Sequence, residues 1–455
     1  MTLEDYLERD ARLYAKKTAV ICGEEQCTYE QLFERVERRA EELKSGTDNP
    51  LHQRCEAGQI VCLRAYSTID YLVTYFALHR IGCVATPLEH GMPEATFNDI
   101  AKTLGAFTTP EGTADILYTT GTTGKSKGVM VSHRTIVADA ENLIGGQGFS
   151  HELVFVVNGP LNHIGSLSKI YPVILLGATL IIVDGMKDLN RFFDAFDYPA
   201  EKMATFLVPA SIRMLIQFSS ERLAALADKM DFIETGAAAI SQADMETLCR
   251  LLPKTRLYNT YASTETGIIC TYDYNDGKCV AGCLGRPMQH SQVIITDKGL
   301  IACKGDTLMT GYVGDPERTA TVLRDGTLYT SDIGIIDNEG RLHLKGREDD
   351  VINVGGFKVA PTEVEDAAMA YPDVKECICI GVDHSITGKA LKLLVALVDG
   401  RQLNKRALAL HLKERLEPYK IPMLYDQVEA VKRTFNGKID RKYYKDSDRP
   451  VAAKP

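Results

Sequence analysis

The chain has 455 residues, 45% hydrophobic and 25% charged, with a net charge of −9 and 12 cysteines. That length exceeds one ordinary core and predicts two or more domains. The acidic balance, without a long basic run, argues against nucleic acid or an anionic membrane as main partner.

MTLEDYLERDARLYAKK at the start reads as an acidic helix with no apolar signal region, and no stretch is long enough to span a membrane. TAVICG is a short strand, and TYEQLFERVERRAEEL an amphipathic helix. GQIVCLRAY reads as a strand, IDYLVTYFALHRIG as a helix and CVATPL as a strand. The alternation continues through GATLIIVD, ATFLVPA and DFIETGAAA, which predicts a sheet covered by helices. From about residue 285 short strands with turn signals such as DNEG and RDG predict a meander or barrel-like unit. After GREDDVINVGG comes helix, strand, strand, helix and strand, a small α+β unit ending near residue 445. The expected fold is a large α/β N-terminal domain, residues 1–347, with a β-barrel-like subdomain, plus a small α+β C-terminal domain, residues 348–455. The boundary falls in the charged stretch Arg347 to Asp350. No cysteines form a CxxC pair, and the CxxxC of Cys279 and Cys283 lacks a second half-site. All twelve are expected to be reduced, as in a cytoplasmic protein. Cys377 and Cys379 alternate along one face of a buried strand.

The chemistry centres on ILYTTGTTGKSKGVMVSH, residues 116–133. Gly124, Lys125 and Ser126 supply the end of a Walker loop, but Thr119 stands where its first glycine belongs. The loop still suits a polyphosphate. Glycines bring backbone N–H groups close to an anion. Thr119, Thr120, Thr122 and Thr123 add hydroxyl donors, and Lys125 and Lys127 add positive charge.

YTTGTTGKSKG resembles the signature loop of the adenylate-forming superfamily: acyl-CoA synthetases, peptide-synthetase adenylation domains and firefly-type luciferases. Other segments match in the family's order: YASTETG at 261–267, LYTSDIG at 328–334, GREDDVINVGGFKVAPTEVE at 346–365, YKIP at 419–422 and NGKIDR at 436–441. The resemblance covers nearly the whole chain. It implies an AMP-forming acid–thiol ligase that turns a carboxylic acid and ATP into an acyl-adenylate and pyrophosphate. The acyl group then passes to CoA, or to the phosphopantetheine of a separate carrier protein.

The resemblance also implies roles. Thr119, Thr120, Gly121, Thr122, Thr123, Gly124 and Lys125 would cradle phosphates, with Thr264 a further contact. Glu265 would hold Mg2+, as a hard oxygen donor suits a hard cation. Tyr261 would stack on adenine beside a wall of Gly236, Ala237 and Ala238. Asp332 would accept from the ribose hydroxyls, with Arg347 nearby. Lys438 would reach both the attacking carboxylate and the α-phosphate. His163 would line or gate the carboxylate entrance. Asp349 would be the pivot of a mobile small domain, and Gly355, Gly356 and Lys358 would belong to the thiol channel.

The acyl pocket is expected to include Gly165, Ser166 and residues 208–213. Lys169 and Arg213 are expected to face solvent. Asn162, His163, Ile164 and Gly165 offer no acid to bind an amine, which disfavours amino-acid substrates. The segment between Pro87 and Asp115 is short for the family, and Lys358 replaces a common arginine, losing its bidentate fork. Two readings from other classes stay open: a P-loop ATPase or kinase, and a non-catalytic family member.

Overall fold

The computed structural model describes residues 1–46, 49–119, 127–433 and 439–445. Thr120, Gly121, Thr122, Thr123, Gly124, Lys125 and Lys438 therefore lie outside the described residues.

A 14-stranded sheet organises the larger part of the chain. One half is parallel: Thr179–Ile182, Val154–Val157, Met203–Leu207, Met230–Thr235 and Arg256–Ser263 lie side by side in that order. These strands read as near-continuous apolar runs because helices cover both faces. The sheet then turns antiparallel through Gly267–Asp273 and Cys283–Pro287. Leu342–Arg347, Thr327–Ile336, Leu300–Gly305 and Ser291–Ile295 continue it. The expected meander is thus an extension of the parallel half.

A second sheet of five strands holds Ile60–Ala65, Val84–Glu89, Thr113–Thr119, Lys127–Ser132 and Gly311–Tyr312. The N-terminal helix Leu3–Leu13 starts at a capping box between Thr2 and Asp5. It is tied to this sheet by buried His79, which bonds Glu4 Oε1 at 2.9 Å and Asp115 Oδ1 at 3.0 Å. Before the phosphate loop, one helix, Glu94–Leu104, connects the second and third of these strands.

The third sheet, also of five strands, is built on the long hairpin of Val374–His384 and Gly388–Leu397. Helices Pro361–Met369 and Lys405–Lys413 pack on it, the order expected of the small α+β unit. Cys377 and Cys379 share one buried face, but Ile378 between them is buried too, so both faces are covered. All twelve cysteines are free thiols. Among the described residues, no helix is long and apolar enough to cross a membrane.

Candidate active site

The two strands flanking the phosphate loop pair antiparallel, with Thr119 opposite Lys127. Lys127 Nζ lies 5.3 Å from the centre of the Tyr312 ring, and Arg318 stands 5.6 Å from the same ring. Tyr312 OH donates to Glu265 Oε1 at 3.1 Å. Burial lowers the Lys127 pKa, and the like charges of Arg318 and Arg347 push the same way, against the pull of Glu265 and Asp315. Three cations held this close repel one another, and a polyanion relieves that repulsion.

Glu265 sits in the turn between Arg256–Ser263 and Gly267–Asp273, with Thr264 beside it. The turn is braced from within. Ser263 and Thr266 bond across it, Met309 N–H donates to the Glu265 carbonyl at 2.9 Å, and Asp139 Oδ1 accepts from Ile268 N–H at 2.8 Å. Gly267 follows at φ +66, and a Cβ there would stand 2.5 Å from the Thr307 carbonyl oxygen. A side chain at that position would displace the turn. The Glu265 side chain is half-buried and, among the described residues, forms no salt bridge with a lysine or arginine. Its carboxylate fits a hard divalent cation.

Four residues upstream, Tyr261 is buried, and its hydroxyl donates to Asp332 Oδ2 at 2.7 Å. Burial raises the Tyr261 pKa well above the ordinary value, and the Asp332 charge adds to the rise, so the phenol stays a donor. Asp332 and Arg347 are cross-strand partners. Arg347 Nε meets Asp332 Oδ1 at 3.2 Å, and another guanidinium nitrogen donates to Ser331 Oγ at 2.8 Å. The carboxylate is held from both sides while still partly exposed, at 21%.

Gly236 is buried at the end of Met230–Thr235, and Ala237 and Ala238 after it are exposed. Ala237 adopts φ +68, a left-handed conformation uncommon for a residue with a side chain. A Cβ on Gly236 would lie 3.2 Å from the Thr260 carbonyl oxygen and 3.5 Å from the Phe206 ring. That ring also borders Gly165, in the first turn of the helix Ile164–Leu176. His163 is the N-cap of this helix, with its carbonyl accepting from Leu167 N–H at 2.9 Å. Gly165, Phe206 and Gly236 adjoin, Gly236 borders Thr260, and the next residue in the chain, Tyr261, leads on to Asp332 and Arg347, so these residues lie along one line.

The proposed hinge residue follows the end of that line in the chain, and the proposed channel residues come after it. Asp349 is exposed in the single turn Glu348–Asp350, directly after the strand ending at Arg347. Gly355 and Gly356, at φ +59 and +94, form the tight turn between Ile352–Val354 and Phe357–Val359. Lys358 is exposed on the second of those strands. Among the described residues, no hydrogen bond or salt bridge joins Gly355, Gly356 or Lys358 to the residues of that line.

Two expectations need correction. Lys169 does not face solvent: it is buried in Ile164–Leu176 and donates to Glu234 Oε1 at 2.7 Å. Arg213 is also largely covered, at 21% side-chain exposure, and pairs with Asp244 at 2.7 Å. In each case a partner distant in sequence offsets the cost of burying charge. Sequence reasoning also missed Tyr312 and Arg318. Their segment, GYVGDPERT, carries a helix-start signal at Asp315 and Pro316 but nothing that points to Glu265.

The chain belongs to the AMP-binding enzyme family: that family's model matches residues 7–109 and 106–313, and the model of the AMP-binding enzyme C-terminal domain matches 363–438. The two stretches of the first match meet inside the segment read as shortened. Indoleacetate–CoA ligase of Aromatoleum aromaticum is 28% identical, over 96% of this chain and 96% of that protein. A 2-succinylbenzoate–CoA ligase of Staphylococcus epidermidis is 27% identical, over 97% and 98%. Among solved structures, ATP-bound MatB from Rhodopseudomonas palustris superposes with a TM-score of 0.84, at 24% identity over 98% of each chain. This last likeness establishes the fold.

Proposed function

We propose that this protein is an AMP-forming acyl-CoA ligase. It joins a carboxylic acid to the AMP moiety of ATP, releasing pyrophosphate, and then passes the acyl group to the thiol of CoA as AMP leaves. The observation that carries this reading is similarity along nearly the whole chain to proteins named as CoA ligases of carboxylic acids, including indoleacetate and 2-succinylbenzoate.

The chemistry needs help at two points. A carboxylate is a poor electrophile, since its leaving group would be oxide; an acyl-adenylate has AMP to lose instead. Forming that anhydride brings an anion to an anion, so cations and donors must face the phosphates. Lys127, Arg318 and Arg347 supply positive charge around Glu265. Glu265 would hold Mg2+, and a cation bound there with the triphosphate would neutralise part of its charge. The loop from Thr119 to Lys125 would cradle the phosphates.

Asp332 would accept from the ribose hydroxyls, its orientation set by Tyr261 and Arg347. The flat face of adenine would lie by Tyr261 and the small side chains of Ala237 and Ala238. His163 stands at the start of the helix that borders the acid's pocket. Lys438 would bridge the carboxylate and the α-phosphate in the first step. The division into residues 1–347 and 348–455, pivoting at Asp349, would then let Gly355, Gly356 and Lys358 replace it beside the thiol. Twelve free thiols favour a cytoplasmic setting.

The test is a panel of aryl, fatty and alicyclic acids offered with Mg-ATP. Acid-dependent release of pyrophosphate and AMP is expected, with thioester formed when CoA is present. Release of ADP and phosphate would overturn the reading. Thioester formed on a carrier-protein thiol but not on CoA would move the acceptor.

A further inference from the structure

Lys169 and Glu234 are each 1% exposed in their side chains and joined by one hydrogen bond of 2.7 Å. A buried ion pair recovers its desolvation cost only when its other donors and lone pairs are satisfied too. Here they are not. Glu234 Oε2 is buried with no partner among the described residues, and Glu234 Oε1 is the one acceptor found for the Lys169 ammonium. Gln147 Oε1 is likewise buried and unpartnered, while its Nε2 donates to Thr260 Oγ1 at 3.1 Å. Thr260 is the residue whose carbonyl borders Gly236. Glu234 lies on the strand Met230–Thr235, and Gly236 follows directly after its end.

Phe206 connects this polar centre to the acyl pocket. It is the neighbour of Glu234 on the adjacent parallel strand, and Lys169 Nζ lies 5.2 Å from its ring centre. The same ring borders Gly165 and Gly236. One aromatic side chain therefore separates the pair from the pocket.

We propose that Lys169 and Glu234 form a specificity subsite at the inner end of the acyl pocket, which selects carboxylic acids bearing a hydroxyl group remote from the carboxyl. The proposal rests on the ligase reading above. A hydroxyl both accepts and donates, so it can take a bond from Lys169 and give one to Glu234 Oε2. A second carboxylate would meet Glu234 as a like charge, and an ammonium would meet Lys169 so. An apolar end leaves Glu234 Oε2 without a partner. The proposal requires the buried Phe206 ring to rotate and admit the hydroxyl. Lys169 lies six residues along the helix from His163, about 9 Å by helical rise. That span matches para-hydroxycinnamate or a medium-chain ω-hydroxy acid.

The experiment compares pyrophosphate release from para-hydroxycinnamate, cinnamate, para-methoxycinnamate and para-carboxycinnamate, and from ω-hydroxyoctanoate and octanoate. In at least one series the hydroxylated acid is expected to exceed its deoxy analogue in kcat/KM by on the order of a hundredfold. The ether, which cannot donate, and the diacid should fall with the deoxy acid. Replacing Lys169→Met together with Glu234→Leu removes both charges without stranding either. The hydroxyl-to-deoxy ratio should then approach one, whatever the absolute rate. Release from acids without a hydroxyl preference in the wild-type enzyme would overturn the subsite and leave the ligase reading standing. A preference that survives in a folded double variant would overturn it as well. Should that variant not fold, the wild-type series decides alone. No release from any acid would overturn the ligase reading and this one with it.

Discussion

Asp139 supports the turn that carries Glu265, and it does so as a buried acid. One of its oxygens accepts from Ile268 N–H, and the other has no partner among the described residues. Burial pushes its pKa up to about 7, against the opposing pull of the Ile268 amide and of Lys169. In the unfolded chain an aspartate ionises near about 3.9. Between about pH 4 and 7 the folded state therefore keeps a proton that the unfolded state gives up, and stability falls as pH rises through that window. The slope is at most about 1.36 kcal/mol per pH unit, and the contribution is flat on either side. Asp139→Asn keeps an acceptor for Ile268 and removes the titration. Melting curves of the two proteins should nearly coincide around pH 4, with the variant gaining relative stability up to about pH 7. Curves that stay parallel over that range would contradict the assignment. Glu265 calls for a kinetic test instead. A neutral amide is a weaker magnesium ligand, so Glu265→Gln should fold normally and lose on the order of a hundredfold, about 3 kcal/mol, in acid-dependent pyrophosphate release. Excess magnesium should restore part of it. Wild-type rates at ordinary magnesium would remove Glu265 from the metal site.

Elements differ in how far the sequence announces them. The alternation of strands and helices before residue 285 was legible because each run carries its own period and its own turn signals. Tyr261, Asp332 and Arg347 were legible as motif positions, and the structure adds the bonds that join them. The helix Ile164–Leu176 shows where legibility ends. Residues 166–174 are all buried, so a lysine within it has no polar face to occupy. Its burial depends on Glu234, 65 residues away on a strand, and no local pattern reports that pairing. Arg213 and Asp244 repeat the lesson across two helices. The proposed hinge belongs to this scale too. Asp349 sits in a single turn between a strand of the large sheet and the small unit. Asp349→Pro fixes φ there, so rotation should be hindered in whichever orientation the proline disfavours. Adenylation and thioester formation, assayed separately, should fall by very different factors. Equal loss of both would argue against a pivot at this position.

At the scale of the whole molecule, the two proposed reactions share one acyl carbon, and the groups proposed to serve them stand in different parts of the chain. The large domain holds the line from Gly165 to Arg347, while Gly355, Gly356 and Lys358 lie on the small one. In the structure the small unit is anchored near the boundary: Arg441 binds Glu365 through two bonds of 2.5 and 2.9 Å and meets Asp350 at 3.6 Å. These links tie the chain just after the proposed pivot to the short helix Arg441–Lys445, three residues beyond position 438, so motion about Asp349 would carry both together. Lys438 should therefore matter in one step only. A lysine about 4 Å from a phosphate charge, at an effective dielectric of about 20, interacts by roughly 4 kcal/mol. Each 1.36 kcal/mol is about tenfold in rate, so Lys438→Ala should slow adenylation about a thousandfold. Thioester formation from synthetic acyl-adenylate and CoA should stay within a few-fold of wild type, because the proposed rotation would by then have carried Lys438 away from the site. Acid-dependent pyrophosphate exchange measures the first step, and thioester yield from supplied adenylate the second. If both fall together in a folded variant, Lys438 is not specific to adenylation. If neither falls, it is one more solvated charge in the basic stretch from Lys432 to Lys442.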